Sequence, residues 1–132
     1  MIDYRIDRSQ GIIFITASGR TSAEEILAHI QYMLNDRHFQ LDYHFIAKIN
    51  KDTAIDPRLP EEPETVQNIL MDFEEKRKGS KCAIIVESHT TREIVEYGLN
   101  LIEFISSDVK VFGNMDDALE WIGVSAPDKK VT

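Results

Sequence analysis

Apolar and polar residues alternate through 2–7 (IDYRID), the period of a strand with one face in water. Arg8-Ser9-Gln10-Gly11 breaks that pattern with turn-forming residues. Residues 12–17 (IIFITA) are apolar on both faces, as a central strand is. So short a connection predicts an antiparallel hairpin. The period then lengthens: Ile26, Leu27, Ile30, Met33 and Leu34 fall on one face of a helix. Thr21 with Glu24, and Ser22 with Glu25, both have the spacing at which a hydroxyl and a carboxylate cap a helix start. This helix is expected to end near Asp36.

Residues 43–50 (YHFIAKIN) predict a third strand. Tyr43, Phe45, Ala47 and Ile49 point one way, and His44, Ile46, Lys48 and Asn50 the other. The second set is mixed, so that side of the sheet is expected to be only partly covered. Pro57, Pro60 and Pro63 make 51–63 a long, stiffened loop. The next helix has Glu61, Glu62 and Glu64 at its front and Lys76-Arg77-Lys78 at its back, an order that complements the helix dipole. Val66, Ile69, Leu70 and Phe73 form its apolar stripe, and Gly79 stops it.

Residues 81–86 (KCAIIV) are a second strand apolar on both faces. Ser88 or Thr90 caps the helix after it, which carries Ile94, Leu101, Ile102 and Ile105 on one face, with Gly98 among them. Residues 109–112 (VKVF) make a short last strand. Asn114 or Asp116 opens a final helix through Ala118, Leu119, Trp121 and Ile122, and Gly123 ends it. This order predicts an α/β domain over residues 1–124 with a polar tail at 125–132. Its sheet is five-stranded and mostly parallel, with an antiparallel first edge strand and four helices.

Composition narrows the function classes. The chain has 132 residues, 15 Lys and Arg against 23 Asp and Glu, and a net charge of −8. That length suits one domain. The acidic balance argues against nucleic acid, whose phosphates need clustered Lys and Arg. The densest basic run, Lys76-Arg77-Lys78, directly follows Glu74-Glu75. Cys82 is the single cysteine, which excludes an internal disulfide and a Cys-rich metal cluster. No apolar run approaches a membrane span, and residues 1–5 hold no signal-peptide core, so a cytoplasmic location is expected.

Several segments together carry a family resemblance. They are the opening hairpin, Gly19 followed by Thr21-Ser22-Ala23-Glu24-Glu25, Lys81-Cys82-Ala83-Ile84-Ile85-Val86 after a glycine, and the closing run from Val111 through Gly113-Asn114-Met115-Asp116-Asp117-Ala118-Leu119-Glu120-Trp121-Ile122. The chain resembles the SpoIIAA-like proteins of the STAS superfamily, relatives of anti-sigma factor antagonists, over roughly residues 2–123. The resemblance implies a β-α superhelix with strands in sequential order. It also implies a regulatory, protein-binding module without enzyme activity. In that family a serine in an Asp-Ser-Ser/Thr-Gly type motif after the third strand is phosphorylated. Here the slot reads Asn50-Lys51-Asp52-Thr53-Ala54, with neither the serine nor the glycine, and Thr53 is the nearest hydroxyl. The lengthened loop at 55–63 is more like a larger SpoIIAA-like subgroup related to the CRAL-TRIO fold. That implies the alternative of a small-molecule or lipid-binding module.

Open α/β sheets bind ligands at the carboxyl ends of their strands, beside helix N-termini. The loops expected there carry Arg20 and Thr21; Lys51, Asp52 and Thr53; and Ser88, His89, Thr91 and Arg92. Arg20, Lys51, His89 and Arg92 are expected to make this edge less acidic than the rest, suited to a small anion or an acidic partner segment. No histidine pair has metal-ligand spacing, and no nucleophile elbow or phosphate-binding glycine loop is present, so no metal and no cofactor is expected. The mixed face holding His44 and Lys48 leaves a homodimer through an open sheet face as a further expectation.

Overall fold

The computed structural model describes residues 1–40, 42–56, 63–76, 79–100 and 108–123, with backbone only at 23, 55, 63, 65, 66, 94 and 97–100. Strands β1 (Ile2–Asp7) and β2 (Ile12–Ala17) form the expected antiparallel hairpin, with Ile2 opposite Ala17 and Asp7 opposite Ile12. Strands β3 (Arg20–Ser22), β4 (His44–Ile49), β5 (Ala54–Asp56), β6 (Cys82–Val86) and β7 (Val109–Phe112) follow. They are interleaved with helices α1 (Ala23–Leu34), α2 (Pro63–Lys76), α3 (His89–Asn100) and α4 (Met115–Ile122). The main sheet has the order β1-β2-β4-β6-β7, with every pair after the hairpin parallel.

Both faces of that sheet are filled. Side chains alternate along a strand, so Ile12 and Ile13 are neighbours in sequence yet are buried in different layers. Ile13, Tyr43, Phe45 and Cys82 pack with Met33 and Leu34 of α1 and Phe73 of α2. Ile12, Ile46, Ala83 and Ile85 pack with Ala118, Leu119 and Ile122 of α4. The side of β4 expected to stay partly open is therefore covered. Ile46 is 1% exposed and packs in one cluster with Ala83, Ala118, Leu119 and Ile122, where the two small alanines leave room for its larger side chain. Burying such side chains contributes about 1.5–3 kcal/mol each, far more than any surface ion pair of this fold.

Local signals place the helix ends. Ser22 rather than Thr21 caps α1, its Oγ accepting the Glu25 N–H at 3.1 Å. Thr21 is unavailable: it lies buried in β3, where its Oγ1 accepts from the Met1 amino group at 3.1 Å. Ser88 starts α3, with the Thr91 N–H 3.4 Å from its Oγ. Asn114 caps α4 through its Oδ1 and the Asp117 N–H at 2.9 Å. Gly123 closes that helix at φ +90°, a conformation that glycine adopts without strain.

Two short elements depart from expectation. The proline-bearing connection at 51–63 contains β5, which pairs in parallel with β3 from Arg20–Ala54 to Ser22–Asp56. Three residues per strand are too few to show a period of two, so only the partner reveals the strand. Gly19, at φ +61°, turns the chain out of β2 into β3. The expectations for Pro57, Pro60, Glu61, Glu62, Arg77, Lys78, Leu101, Ile102, Ile105 and the tail at 125–132 lie outside the described residues. So do those for the side chains of Val66, Ile94 and Gly98.

Candidate functional site

Parallel β2, β4, β6 and β7 bring Ala17, Ile49, Val86 and Phe112 to one edge, and the sequence-predicted residues gather around it. They separate into two groups. Thr21, Thr53 and Thr91 are buried at 2%, 7% and 8% exposure. The Thr53 hydroxyl donates to Ala17 O at 2.9 Å, and the same carbonyl accepts the Asn50 N–H at 3.0 Å. That pair of bonds stitches the exit of β4 onto the end of β2. These threonines, with the capping Ser88, build the framework of the edge.

Arg20, Lys51, Asp52 and His89 are exposed, and Arg92 is half-buried. Lys51 Nζ lies 3.7 Å from Glu87 Oε2. His89 Nε2 lies 3.2 Å from Glu93, and Arg92 Nε donates to Glu96 Oε1 at 3.0 Å, both one turn along α3. Arg92 also reaches toward Val111 O at 3.5 Å, so it leans from α3 across the end of β7. Three of the four expected basic groups thus face carboxylates, and Asp52, Asp116 and Asp117 add exposed acids. The edge is a patchwork of paired charges. A reading confined to the loops overlooked Glu93 and Glu96, which the helix period returns to the same place. Exposed pairs of this kind stabilise by about 0–1 kcal/mol, so they can exchange partners at little cost.

The opposite edge holds a cluster that sequence reasoning missed. His44 Nδ1 accepts the Lys81 N–H at 2.9 Å, and Lys81 Nζ donates to Trp121 O at 2.7 Å. The Lys81 and Lys110 ammonium groups lie 5.3 and 5.2 Å from the centre of the Trp121 ring. Burial, then the nearby Lys81 charge, pushes the His44 imidazole below its ordinary range, and Asp42 opposes them. The partners are 37 and 40 residues apart, so no motif announces them. The one available signal was strand adjacency, which sets the start of the third strand beside the start of the fourth.

Among the described residues, no group of three or more His, Cys, Asp or Glu is placed to hold a metal ion. Among the same residues, no helix is long and apolar enough to cross a membrane.

Sequential strands, one antiparallel edge strand and an exposed carboxyl edge ringed by helix N-termini define an α/β module of the SpoIIAA type. In fold the chain is similar to the anti-sigma factor antagonist SpoIIAA in its unphosphorylated form. The TM-score is 0.52 at 8% sequence identity, covering 93% of this chain and 98% of that one. The phosphorylated form of the Bacillus cell-fate determinant SpoIIAA aligns at a TM-score of 0.47 and 9% identity, over 92% and 99% of the two chains. No protein-family model and no curated protein sequence matches the chain. At so low an identity the likeness is one of fold; the strand order of the main sheet and the four helices of the described residues are those read from the sequence.

Proposed function

We propose that this protein is a non-enzymatic, cytoplasmic regulatory module that binds a protein partner at the carboxyl edge of its sheet. The observation that carries the reading is the pairing of a rigid framework with an exchangeable surface. Buried Thr21, Thr53 and Thr91 lie below exposed Arg20, Lys51 and Asp52. The SpoIIAA fold supports it, since that protein is an anti-sigma factor antagonist and so acts on another protein. The two filled sheet faces favour this reading over a lipid-binding one, which needs an apolar space between helix and sheet. A phosphate on Thr53 finds no support in the geometry. Its hydroxyl is buried and bonded to Ala17 O, so modification would require the β4–β5 turn to open.

Site-specific photocrosslinkers placed at 51 or 89, and as controls at Tyr32 and Met71, test this in the native cell. The two control side chains are 62% and 56% exposed on the outer helices. The expected outcome is one protein captured from 51 and 89 and none from 32 or 71. Capture from the controls alone, or a native mass spectrum showing a copurifying lipid or small anion, would replace this reading.

A further inference from the structure

We infer that His44 is a proton-operated latch at the amino edge of the sheet, closed while its ring is neutral, that ties β4 to β6 and, through Lys81, to the last turn of α4. The Lys81 peptide is held from both sides by consecutive residues of β4. Its carbonyl accepts the Phe45 N–H at 2.9 Å, and its N–H is taken by the His44 ring at 2.9 Å. A ring nitrogen that accepts a hydrogen bond carries no proton, which fixes the neutral tautomer with hydrogen on Nε2. From the same residue the ammonium reaches Trp121 O at 2.7 Å. A helix leaves its last carbonyls without partners, and a cation there also complements the dipole. One lysine therefore joins a titratable ring to a helix end.

Protonation at Nδ1 places a donor against a donor. The Lys81 N–H then loses its acceptor, and the new imidazolium faces a cation. The charged surroundings reinforce this. Lys81, ahead of β6, is the cation that bears on the ring, and Lys110 on β7 lies over the Trp121 ring that Lys81 also meets. Asp42, in the turn before β4, is the acid that opposes Lys81, and Asp108 ahead of β7 has a partner of its own. Strand β2 sets Ile12 opposite His44, and α4 contributes Trp121, neither of which titrates. Because the ring titrates below its ordinary 6.5 in the folded chain, the unfolded chain takes the proton first as pH falls. Stability is then full above about 6.5 and is lost on the way down to the folded value.

The experiment follows three signals of the whole chain from about pH 7.5 to about pH 5. These are the ring nitrogens of His44 by NMR, the exchange of the Lys81 amide, and the emission of Trp121, the single tryptophan. The expected result is a neutral Nε2–H ring that titrates below the ordinary 6.5 of an imidazole. The protection of the Lys81 amide, its exchange measured against the intrinsic rate at each pH, should fall about five- to tenfold, with Trp121 emission moving at the same midpoint. His44→Asn sets an amide oxygen where Nδ1 lies and cannot titrate, so it should flatten the Lys81 and Trp121 signals. An Nδ1–H tautomer, a Lys81 amide equally protected when the ring is charged, or a Trp121 shift that persists in His44→Asn would overturn the latch. Should His44→Asn fail to fold, coincidence or separation of the three wild-type midpoints decides.

Discussion

At the carboxyl end of the strands, Thr21, Thr53, Ser88 and Asn114 aim side-chain oxygens at the backbone. At the amino end, His44 does the same work with a ring nitrogen. The geometry is alike, but the chemistry is not. A hydroxyl or amide holds its bond at any ordinary pH, whereas an imidazole surrenders its lone pair to a proton. One end is a fixed frame under an exchangeable charged surface, and the other is a joint whose strength depends on pH. Between them α4 runs the height of the sheet, capped by Asn114 at one end and clamped by Lys81 at Trp121 at the other.

The two ends stay distinct only if the middle of the molecule is rigid. Ile46 tests that most severely, since it is 1% exposed and packs among Ala83, Ala118 and Leu119. Ile46→Ala should cost about 2–5 kcal/mol in urea unfolding, because the surrounding buried side chains relax only partly into the space left. A loss under about 1 kcal/mol would mean that α4 is loosely seated and that neither end can be treated separately.

This residue also shows where the sequence was legible. Its own strand was evident from 43–50, as were both hairpin strands, the Asn114 cap and the Gly123 stop, because each is a local pattern. What covers Ile46 was not evident. A strand reading HFIAKI looks half-solvated until α4 is known to lie on it, and that is a matter of packing between residues 46 and 118. Strand β5 was hidden for the same reason, since Ala54 joins a sheet by pairing with the distant β3, where the Gly19 carbonyl takes its N–H at 2.9 Å. At the candidate site the division of the loop residues into buried frame and exposed surface depended on distances that no spacing encodes.

A smaller effect separates frame from surface directly. Thr53→Val keeps the shape and removes the donor to Ala17 O. That carbonyl retains the Asn50 N–H at 3.0 Å, so it is not left without a partner. The loss should be about 0.5–1.5 kcal/mol, with Thr53→Ser restoring most of it. Partner binding should be unchanged at concentrations where the variant stays folded. A variant of native stability that no longer bound would move Thr53 from the frame to the contact surface.

The smallest expected effect belongs to Lys51 and Glu87, 3.7 Å apart and 76% and 39% exposed. A double-mutant cycle with Lys51→Ala and Glu87→Ala should give a coupling below about 1 kcal/mol, shrinking further with added salt. Little stability is at stake because water already solvates both groups, and holding a long lysine in one rotamer costs entropy. The same pair should matter far more to binding, where a docking partner removes that water and one charge must find a new counterpart. Loss of partner capture in Lys51→Ala, at unchanged stability, would place the contact at the carboxyl edge. Substantial coupling in the free protein would instead make the pair part of the frame, and the distinction between the two ends would narrow to the proton at His44.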